Sequence, residues 1–440
     1  MVNPAHPALQ AVDRETSLVD AVTCPGCGLL CDDITIARSG SSLEVTNISC
    51  PKSTAFFRQA SQNTSIPRVA GQPATLESAI RRAADLLGKA SQPMIAGLAT
   101  DVYGMRAVLE LAELTGATLD HMNSEAAMRN IYAVQNTGWH TCTLTEVRNR
   151  ADFVLIVGGD IVSRYPRFFE RIVWNNESMF GQDTAARDIV YLGGPQLDTA
   201  AGISPRNIKP TVIPCDNCDL PQVVAALLAL VHGGELQTNN VAGIPLAELQ
   251  HVATRLAAAK YSVIAWAAAD FDFPHAELTI QQIAELIAHL NHTTRCSGLP
   301  LGGSDGDITA AQVSSWISGY PVRNSYRRSY PEYDPYRFST SAQLNTQEAD
   351  ALMWISTLDP LRTPPLTSLP TVVIGHPGMQ FAHEPEVFIP VGIPGVDHAG
   401  IMFRSDSVVA LPLRKLRESP LPSLRQVLDG ISAELGALAC

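Results

Sequence analysis

From residue 93 onward, short apolar runs alternate with segments whose apolar residues recur at a spacing of three to four. The runs predict strands at 93–99, 153–159, 188–194, 210–214, 262–268, 371–375 and 387–391. The periodic segments predict helices at 76–90, 104–115, 219–233, 245–259 and 280–290. Strands that are apolar throughout and separated by helices are typical of parallel sheets covered on both faces. The pattern therefore predicts a multi-domain α/β protein.

The chain divides by composition into three predicted parts. Residues 1–67 form a Cys-rich N-terminal part, which begins with an arm over 1–20 and contains short strands at 34–37 and 43–45. Residues 68–300 and 301–440 form two α/β parts, with Pro-rich linkers at 360–370 and 418–422. The aromatic, basic stretch 320–338 is irregular and predicts a long surface or interface loop.

Composition narrows the class of function. Hydrophobic residues make up 46% and charged residues 17%, which favours a folded globular chain over a disordered one. The net charge is −12, which disfavours nucleic acid as a partner because phosphate neutralisation dominates that affinity. The longest apolar stretch, 223–231, is about half a membrane span, and the N-terminus lacks the pattern of a signal peptide. We therefore expect a cytoplasmic protein without a membrane partner.

The strongest chemical motif is TCPGCGLLCDD followed by a later CP. Cys24, Cys27 and Cys31 have C-x2-C-x3-C spacing, and Cys50 precedes Pro51. Structural disulfides are rare in cytosolic proteins, so the clustering favours metal ligation, and four thiolates can hold a [4Fe–4S] cluster. A zinc site and four unoccupied thiols remain as alternatives, although zinc usually takes two C-x2-C pairs.

Other motifs carry weaker indications. Cys215 and Cys218 form a second C-x2-C before a predicted helix, where either a redox pair or two small packed residues would fit. Cys142 and Cys296 are expected in the core. The Gly-rich pieces 157–160 and 301–309 predict turns rather than phosphate loops. The scattered histidines, including His376 and His383, have no spacing typical of zinc ligands.

Four stretches together resemble a known family. CPGCGLLCDDI (24–34), TCTLTEVRNRADFVLIVGGD (141–160), AQVSSWISGYP with SYPEY (311–333) and the C-terminal 389–415 resemble the B subunit of formylmethanofuran dehydrogenase. The chain is similar, more distantly, to the molybdopterin oxidoreductases. The resemblance implies a fold that surrounds a bis-pterin tungsten or molybdenum centre.

Two departures from the family pattern bear on activity. Catalytic members carry a Cys or selenocysteine metal ligand where this chain reads MNSEAAMRN (122–130), in which Ser124 and Ala126 are the nearest candidates. They also carry an Arg-Gly-His stretch where this chain reads Gly302-Gly303-Ser304. The resemblance thus predicts that a tungsten- or molybdenum-pterin is absent and that no residue of this chain is catalytic.

These departures are similar to those of bacterial family members, the B subunits of formyltransferase/hydrolase complexes. The resemblance implies A, C and D subunits as partners and a role in tetrahydromethanopterin-linked conversion of formaldehyde to formate. Within such a complex, we expect this chain to be a scaffold without redox catalysis. Two alternatives remain: an active tungsten or molybdenum formylmethanofuran dehydrogenase subunit with a ligand such as Ser124, and an electron relay that uses only the cluster.

Overall fold

The structure is a computed structural model that describes residues 16–60 and 65–438. Its strands are β1 (Ser17–Val22), β2 (Ile34–Ser39), β3 (Ser42–Val45), β4 (Arg68–Val69), β5 (Gln72–Pro73), β6 (Pro93–Ala99), β7 (Thr118–His121), β8 (Phe153–Val157), β9 (Asp188–Gly193), β10 (Thr211–Pro214), β11 (Asn240–Val241), β12 (Ile244–Pro245), β13 (Ser262–Trp266), β14 (Cys296–Pro300), β15 (Asn324–Ser325), β16 (Glu332–Tyr333), β17 (Ala351–Ser356), β18 (Thr371–Gly375), β19 (Val387–Pro390), β20 (Gly400–Phe403) and β21 (Ala410–Leu413). Its α-helices are α1 (Pro51–Ala60), α2 (Leu76–Lys89), α3 (Val102–Thr115), α4 (Ser124–Thr137), α5 (Leu144–Arg150), α6 (Leu220–Val231), α7 (Leu246–Ala258), α8 (Ala276–Leu290), α9 (Asp307–Ser318), α10 (Thr340–Asn345) and α11 (Leu424–Leu438).

The N-terminal part is a small lobe in which the antiparallel sheet β1-β2-β3 packs with α1. The predicted arm over 1–20 is corrected at its end, since Ser17–Val22 pairs with β2 along most of its length. Residues 1–15 of that arm lie outside the described residues. The loop of residues 23–33, the cysteine loop, carries Cys24, Cys27 and Cys31 and connects β1 to β2, so the sheet fixes both ends of it.

A nine-stranded sheet has the order β16-β15-β7-β6-β17-β18-β19-β4-β5, and its five central strands are parallel. β6 is buried along its whole length, as the apolar run at 93–99 predicted. One face packs against α2, α3 and α11, and the other forms a smaller apolar layer around Trp354 and Phe388. Burial on both faces explains why these strands lack alternation.

A five-stranded parallel sheet, β10-β9-β8-β13-β14, is formed within residues 153–300 and is covered on one face by α6, α7 and α8. The nine-stranded sheet instead combines strands from 68–121 with strands from 324–390. The predicted boundary at residue 300 coincides with the end of the five-stranded sheet, but the nine-stranded sheet takes strands from both sides of it. The three-part division of the chain stays a prediction.

The parallel strands of both sheets and the helices that cover them confirm the predicted α/β class. The prediction of a surface or interface loop at 320–338 is wrong in part. The stretch 320–338 does not run over the surface throughout, because residues 322–326 are buried and β15 pairs with β7. Polar side chains there bond to β7, as in the hydroxyl pair of Thr118 and Ser325 at 3.0 Å. Among residues 16–60 and 65–438, no helix has the length and apolar character needed to cross a membrane.

Candidate functional site: a cleft beside the cysteine loop

A cavity of about 800 Å³ opens where strands of both sheets reach their carboxyl ends. Met122 follows β7, Ala267 follows β13 and Leu301 follows β14, and all three line the cavity. Ligands of open α/β sheets bind at this edge, because loops after the strands converge there. The cavity is therefore the principal candidate for a binding site in the described part of the chain.

Ser124 begins α4 at the rim but is held away from the cavity. Its hydroxyl accepts hydrogen bonds from the Arg323 guanidinium at 3.0 and 3.2 Å. Arg323 also pairs with Asp120 at 3.4 Å and with Glu125 at 2.6 Å, and both Arg323 and Asp120 are almost fully buried. Ala126, rather than Ser124, lines the cavity. The hydroxyl is thus committed to a buried ion network.

His121 and Asn123 bind the loop that follows β14. The Asn123 N–H donates to Nδ1 of His121 at 3.0 Å, and Nε2 of His121 lies 3.2 Å from the carbonyl of Asp305. This leaves Nε2 as the protonated nitrogen of a neutral ring. Burial lowers the pKa of His121 to about 4, against the pull of Asp305. The imidazole is therefore a structural link between the end of β7 and the loop after β14.

Asp307 and Tyr165 form the inner wall of the cavity. Oδ1 of Asp307 accepts the N–H groups of Gly303 and Ile308, both at 2.6 Å. Burial nevertheless raises the pKa of Asp307 to about 7, with Asp305 adding to the effect. The Tyr165 hydroxyl donates to the carbonyl of Gly302 at 2.9 Å, and burial raises its pKa as well.

The cysteine loop brings its thiols into one part of the N-terminal lobe. The N–H of Cys24 donates to the carbonyl of Cys31 at 2.8 Å, which closes the loop. Cys24, Cys31 and Cys50 are buried and Cys27 is half-buried. Burial raises the pKa of Cys24 and of Cys27 to about 12, and neighbouring cysteines, including Cys50 for Cys27, add to this. The fold thus places Cys27 within electrostatic reach of Cys24, Cys31 and Cys50.

The donor set suits a metal–thiolate group in its chemistry. The Gly26 N–H donates to the sulfur of Cys24 at 3.4 Å, and the backbone of Leu29 favours the thiolate form of Cys27 by lowering its pKa. Such N–H donors stabilise thiolates. Within residues 16–60 and 65–438, however, no three His, Cys, Asp or Glu side chains stand in an arrangement that could hold a metal ion. Ligation by the four cysteines stays a prediction.

The cysteine loop touches the cleft directly. A Cβ on Gly28 would meet the carbonyl oxygen of Gly302 at 2.2 Å, so only glycine permits this approach. The carbonyl of Gly28 accepts the N–H of Ser405 at 2.8 Å, and both Gly302 and Ser405 line the cavity. Gly303 has φ +92°, which agrees with the turn predicted for 301–309. The cleft and the cysteine lobe therefore form one continuous site.

The other cysteines of the described residues lie apart from this site or pack in its walls. Cys142 and Cys296 are buried, as predicted. Cys215 is buried and Cys218 is exposed, and burial raises the pKa of Cys215 to about 12. A raised pKa is the opposite of what a nucleophilic redox thiol needs. His376 is buried, with Nδ1 accepting the N–H of Gly378 at 2.9 Å, which agrees with a satisfied loop contact.

Sequence reasoning did not identify Asp120, Tyr165, Asp307 or Arg323. Arg323 lies inside the stretch 320–338 and Asp307 inside 301–309, so both regions were noted for other reasons. Their roles depend on contacts between distant segments, which composition and spacing do not reveal.

Two sheets with parallel central strands that meet at a cleft, with the Cys-rich N-terminal lobe against it, define the multi-domain α/β class that the sequence predicted. No family model matches the chain. It is 31% identical over 342 residues to the B subunit of the formyltransferase/hydrolase complex Fhc of Methylorubrum extorquens, spanning 76% of this chain and 87% of the relative. It therefore belongs to the family of formylmethanofuran dehydrogenase and Fhc B subunits.

Two further comparisons agree with this family. The B subunit of tungsten-containing formylmethanofuran dehydrogenase 2 of Methanocaldococcus jannaschii is 28% identical over 419 residues, or 92% of this chain and 94% of the relative. A chain in the crystal structure of the formyltransferase/hydrolase complex (FhcABCD) from Methylorubrum extorquens with methylofuran superimposes with a TM-score of 0.72. That match has 28% identity and covers 85% of this chain and 99% of the other.

Proposed function

We propose that this chain is the B subunit of a cytoplasmic formyltransferase/hydrolase complex. The complex belongs to the tetrahydromethanopterin-linked C1 metabolism in which formaldehyde is converted to formate. The partners of the chain are the A, C and D subunits, and the chain acts as a scaffold without redox catalysis. The identity to an Fhc B subunit and the structural similarity to a chain of FhcABCD support this assignment. Subunits held in register shorten the path of a carrier between active sites by raising its effective concentration.

The observation that carries the scaffold role is the state of Ser124. A protein ligand to a pterin-bound metal must point into the cleft, and the hydroxyl of Ser124 instead accepts two hydrogen bonds from Arg323. Freeing it would leave the buried guanidinium short of an acceptor, which costs about 1–3 kcal/mol. Gly302 and Ser304 carry no cation where the family has Arg, and the arginines that line the cavity, Arg129, Arg164 and Arg362, are each paired with an aspartate. Neither Ser124 nor the turn at 302–304 therefore offers a tungsten- or molybdenum-pterin the ligand and cation of the family's catalytic members.

A scaffold also needs a surface for its partners. Three apolar residues are exposed at the end of α9: Trp316, Ile317 and Tyr320. Tyr336 is also exposed, and its ring stacks on that of Tyr132 with 5.2 Å between the ring centroids. Exposed aromatic residues are enriched where protein surfaces associate. Of the segment 389–415, residues 389–397 are buried within the chain, so only its later part can contribute.

Purification of the native assembly followed by elemental analysis tests this function. We expect the A, C and D subunits to copurify, formate to be released, and tungsten and molybdenum to remain far below one atom per chain. Trp316→Asp should weaken copurification, whereas Leu366→Asp, at an exposed leucine between β17 and β18, should not. Stoichiometric tungsten or molybdenum in this chain would establish the alternative, an active formylmethanofuran dehydrogenase subunit.

We propose that Cys24, Cys27, Cys31 and Cys50 ligate a metal–thiolate group, with a [4Fe–4S] cluster as the first choice. Iron, sulfide and zinc analysis of the complex identifies the group. Serine at any one of the four positions should bleach its visible absorbance and loosen the lobe, while Cys296→Ser, in the core of the five-stranded sheet, should leave the absorbance unchanged. Equal absorbance in all five variants would contradict ligation.

A further inference from the structure

Two large apolar side chains occupy the corner of a tight turn shortly before β9. The N–H of Gly181 donates to the carbonyl of Ser178 at 3.2 Å, so Met179 and Phe180 are the two central residues of this turn, the 178–181 turn. Central turn positions are dominated by Gly, Pro, Asn, Asp and Ser. Met179 is 77% exposed and Phe180 60% exposed. The turn therefore presents an apolar pair where a polar one would ordinarily be found.

The backbone of the 178–181 turn is held by the last turn of α5. Oδ1 of Asn149 accepts the N–H of Met179 at 2.8 Å, and the hydroxyl of Ser178 donates to the carbonyl of Asn149 at 3.1 Å. Asn149 is itself fixed, because its Nδ2 donates to the carbonyl of Thr145 at 2.9 Å. Polar contacts thus hold the shape of the turn without burial of its two apolar side chains.

The segment that follows the turn is anchored in the same way. Nε2 of Gln182 donates to the carbonyls of Arg150 and Ala151 at 3.0 and 2.9 Å. The buried Arg187 donates to the carbonyl of Arg148 at 2.6 Å and to Oε1 of Gln182 at 3.1 Å. A binding surface that is ordered beforehand loses less conformational entropy when a partner associates. The turn is therefore preorganised for binding.

An arginine without an ion-pair partner lies beside the apolar pair. The guanidinium carbon of Arg150 is 5.0 Å from the centre of the Phe180 ring, and no carboxylate in the described part of the chain pairs with this exposed side chain. Of the two acidic residues near the turn, Glu177 is exposed and Asp183 already pairs with Arg206 at 2.7 Å. Aromatic residues, Met and Arg are the residues enriched at protein–protein interfaces. The composition of this surface is that of an interface.

We propose that the 178–181 turn and Arg150 form the docking point for another subunit of the complex. That subunit offers an apolar socket for Met179 and Phe180, with a carboxylate at its rim that pairs with Arg150. Burial of the apolar pair supplies affinity, and the ion pair fixes the orientation. The inference rests on the proposed assembly with A, C and D subunits and adds a contact segment different from the one at Trp316.

The charge of the surface argues against a second copy of this chain as the occupant. A symmetric contact brings the same patch of both copies together. Centred on this turn, it would place two Arg150 guanidiniums near each other, and like charges in apposition disfavour association. A different subunit with an acidic rim has no such penalty.

Photo-crosslinking in the assembled complex identifies the occupant. A photoreactive phenylalanine analogue in place of Phe180 should crosslink to the A, C or D subunit. A crosslink to a second copy of this chain, or none in a complex that contains all four subunits, overturns the proposal.

Dilution of the complex measures the strength of the contact. We expect Phe180→Asp and Arg150→Glu each to weaken assembly about tenfold, as changes at hot-spot residues do, and Arg150→Lys to weaken it less because the charge is kept. Leu366→Asp is the matched control, since Leu366 is also 77% exposed, and should assemble like wild type. Assembly of Phe180→Asp and Arg150→Glu as tight as that of wild type overturns the proposal.

Two further measurements separate this contact from other causes. Urea unfolding of Phe180→Asp should keep the wild-type midpoint, because the side chain is exposed; a midpoint that falls together with assembly overturns a direct contact. Failure of the wild-type chain to copurify with the A, C and D subunits would contradict the proposed function and the contact together. A complete complex without the crosslink would contradict the contact alone.

Discussion

Replacing Asp307 by Asn should stabilise the protein at alkaline pH and leave it nearly unchanged in acid. The pKa of Asp307 rises from its ordinary 3.8 to about 7 because the cleft wall excludes water from the carboxyl group. Both N–H donors to this side chain address Oδ1, an atom that asparagine keeps. The substitution therefore removes the titration while preserving the hydrogen bonds.

The sign follows from proton binding in the two states. Below pH 3.8 folded and unfolded chains both carry the proton, so the group contributes nothing to pH dependence. Between pH 3.8 and about 7 the unfolded chain loses its proton first, so the free energy of unfolding falls as the pH rises. A separation of about 3 pH units corresponds to about 4 kcal/mol, and partial exposure to the cavity reduces this to about 2–4 kcal/mol.

Urea unfolding of wild type and Asp307→Asn at pH 4 and pH 8 measures the effect. His121 and His376, whose pKa values burial lowers to about 4, weaken the fold in acid, but they are present in both proteins and cancel in the difference. We expect the stability difference to grow by about 2–4 kcal/mol between the two pH values. A difference that stays constant to within about 0.5 kcal/mol, of the order of extrapolation error, would refute the argument.

Further predictions concern the two close contacts at the site. Gly28→Ala places a Cβ 2.2 Å from the carbonyl oxygen of Gly302 and should lower the free energy of unfolding in urea by about 1–3 kcal/mol. The control Gly436→Ala lies on α11 with open space around it and should not destabilise the protein. Equal stability of the two variants would argue against the close contact at Gly28. Arg323→Met leaves Asp120 buried without its cation and should cost about 3–5 kcal/mol, and adding Asp120→Asn should recover at least half. A double variant no more stable than the single would show that the pair is not coupled.

The parallel strands could be predicted because their environment is uniform. β6, β18 and β19 are buried on both faces, and this selects continuous apolar runs that stand out in the sequence. The start of α2 is also fixed locally, since the hydroxyl of Thr75 accepts the N–H of Ser78 at 3.2 Å. These features depend on neighbours within a few residues.

β7 could not be predicted, because its residues Thr118–His121 are buried yet mostly polar. Asp120 is satisfied by the N–H and hydroxyl of Thr340, and Thr118 by Ser325, each about two hundred positions away. A polar residue whose partner lies that far along the chain looks like a surface residue in the sequence. For the same reason, neither the role of Arg323 nor its hydrogen bonds to Ser124 could be predicted from the sequence. The cysteines could be identified as a candidate site because their spacing is itself the motif.

The order of strands in the nine-stranded sheet has a consequence for biosynthesis. β6 lies between β7 and β17, and β17 begins only at residue 351, after the entire five-stranded sheet has been synthesised. During synthesis, one edge of the apolar strand β6 therefore stays unpaired until β17 has been made. Unpaired strand edges of this kind can pair with other chains and cause aggregation. Translation pausing and chaperone supply should thus affect the soluble yield of this protein.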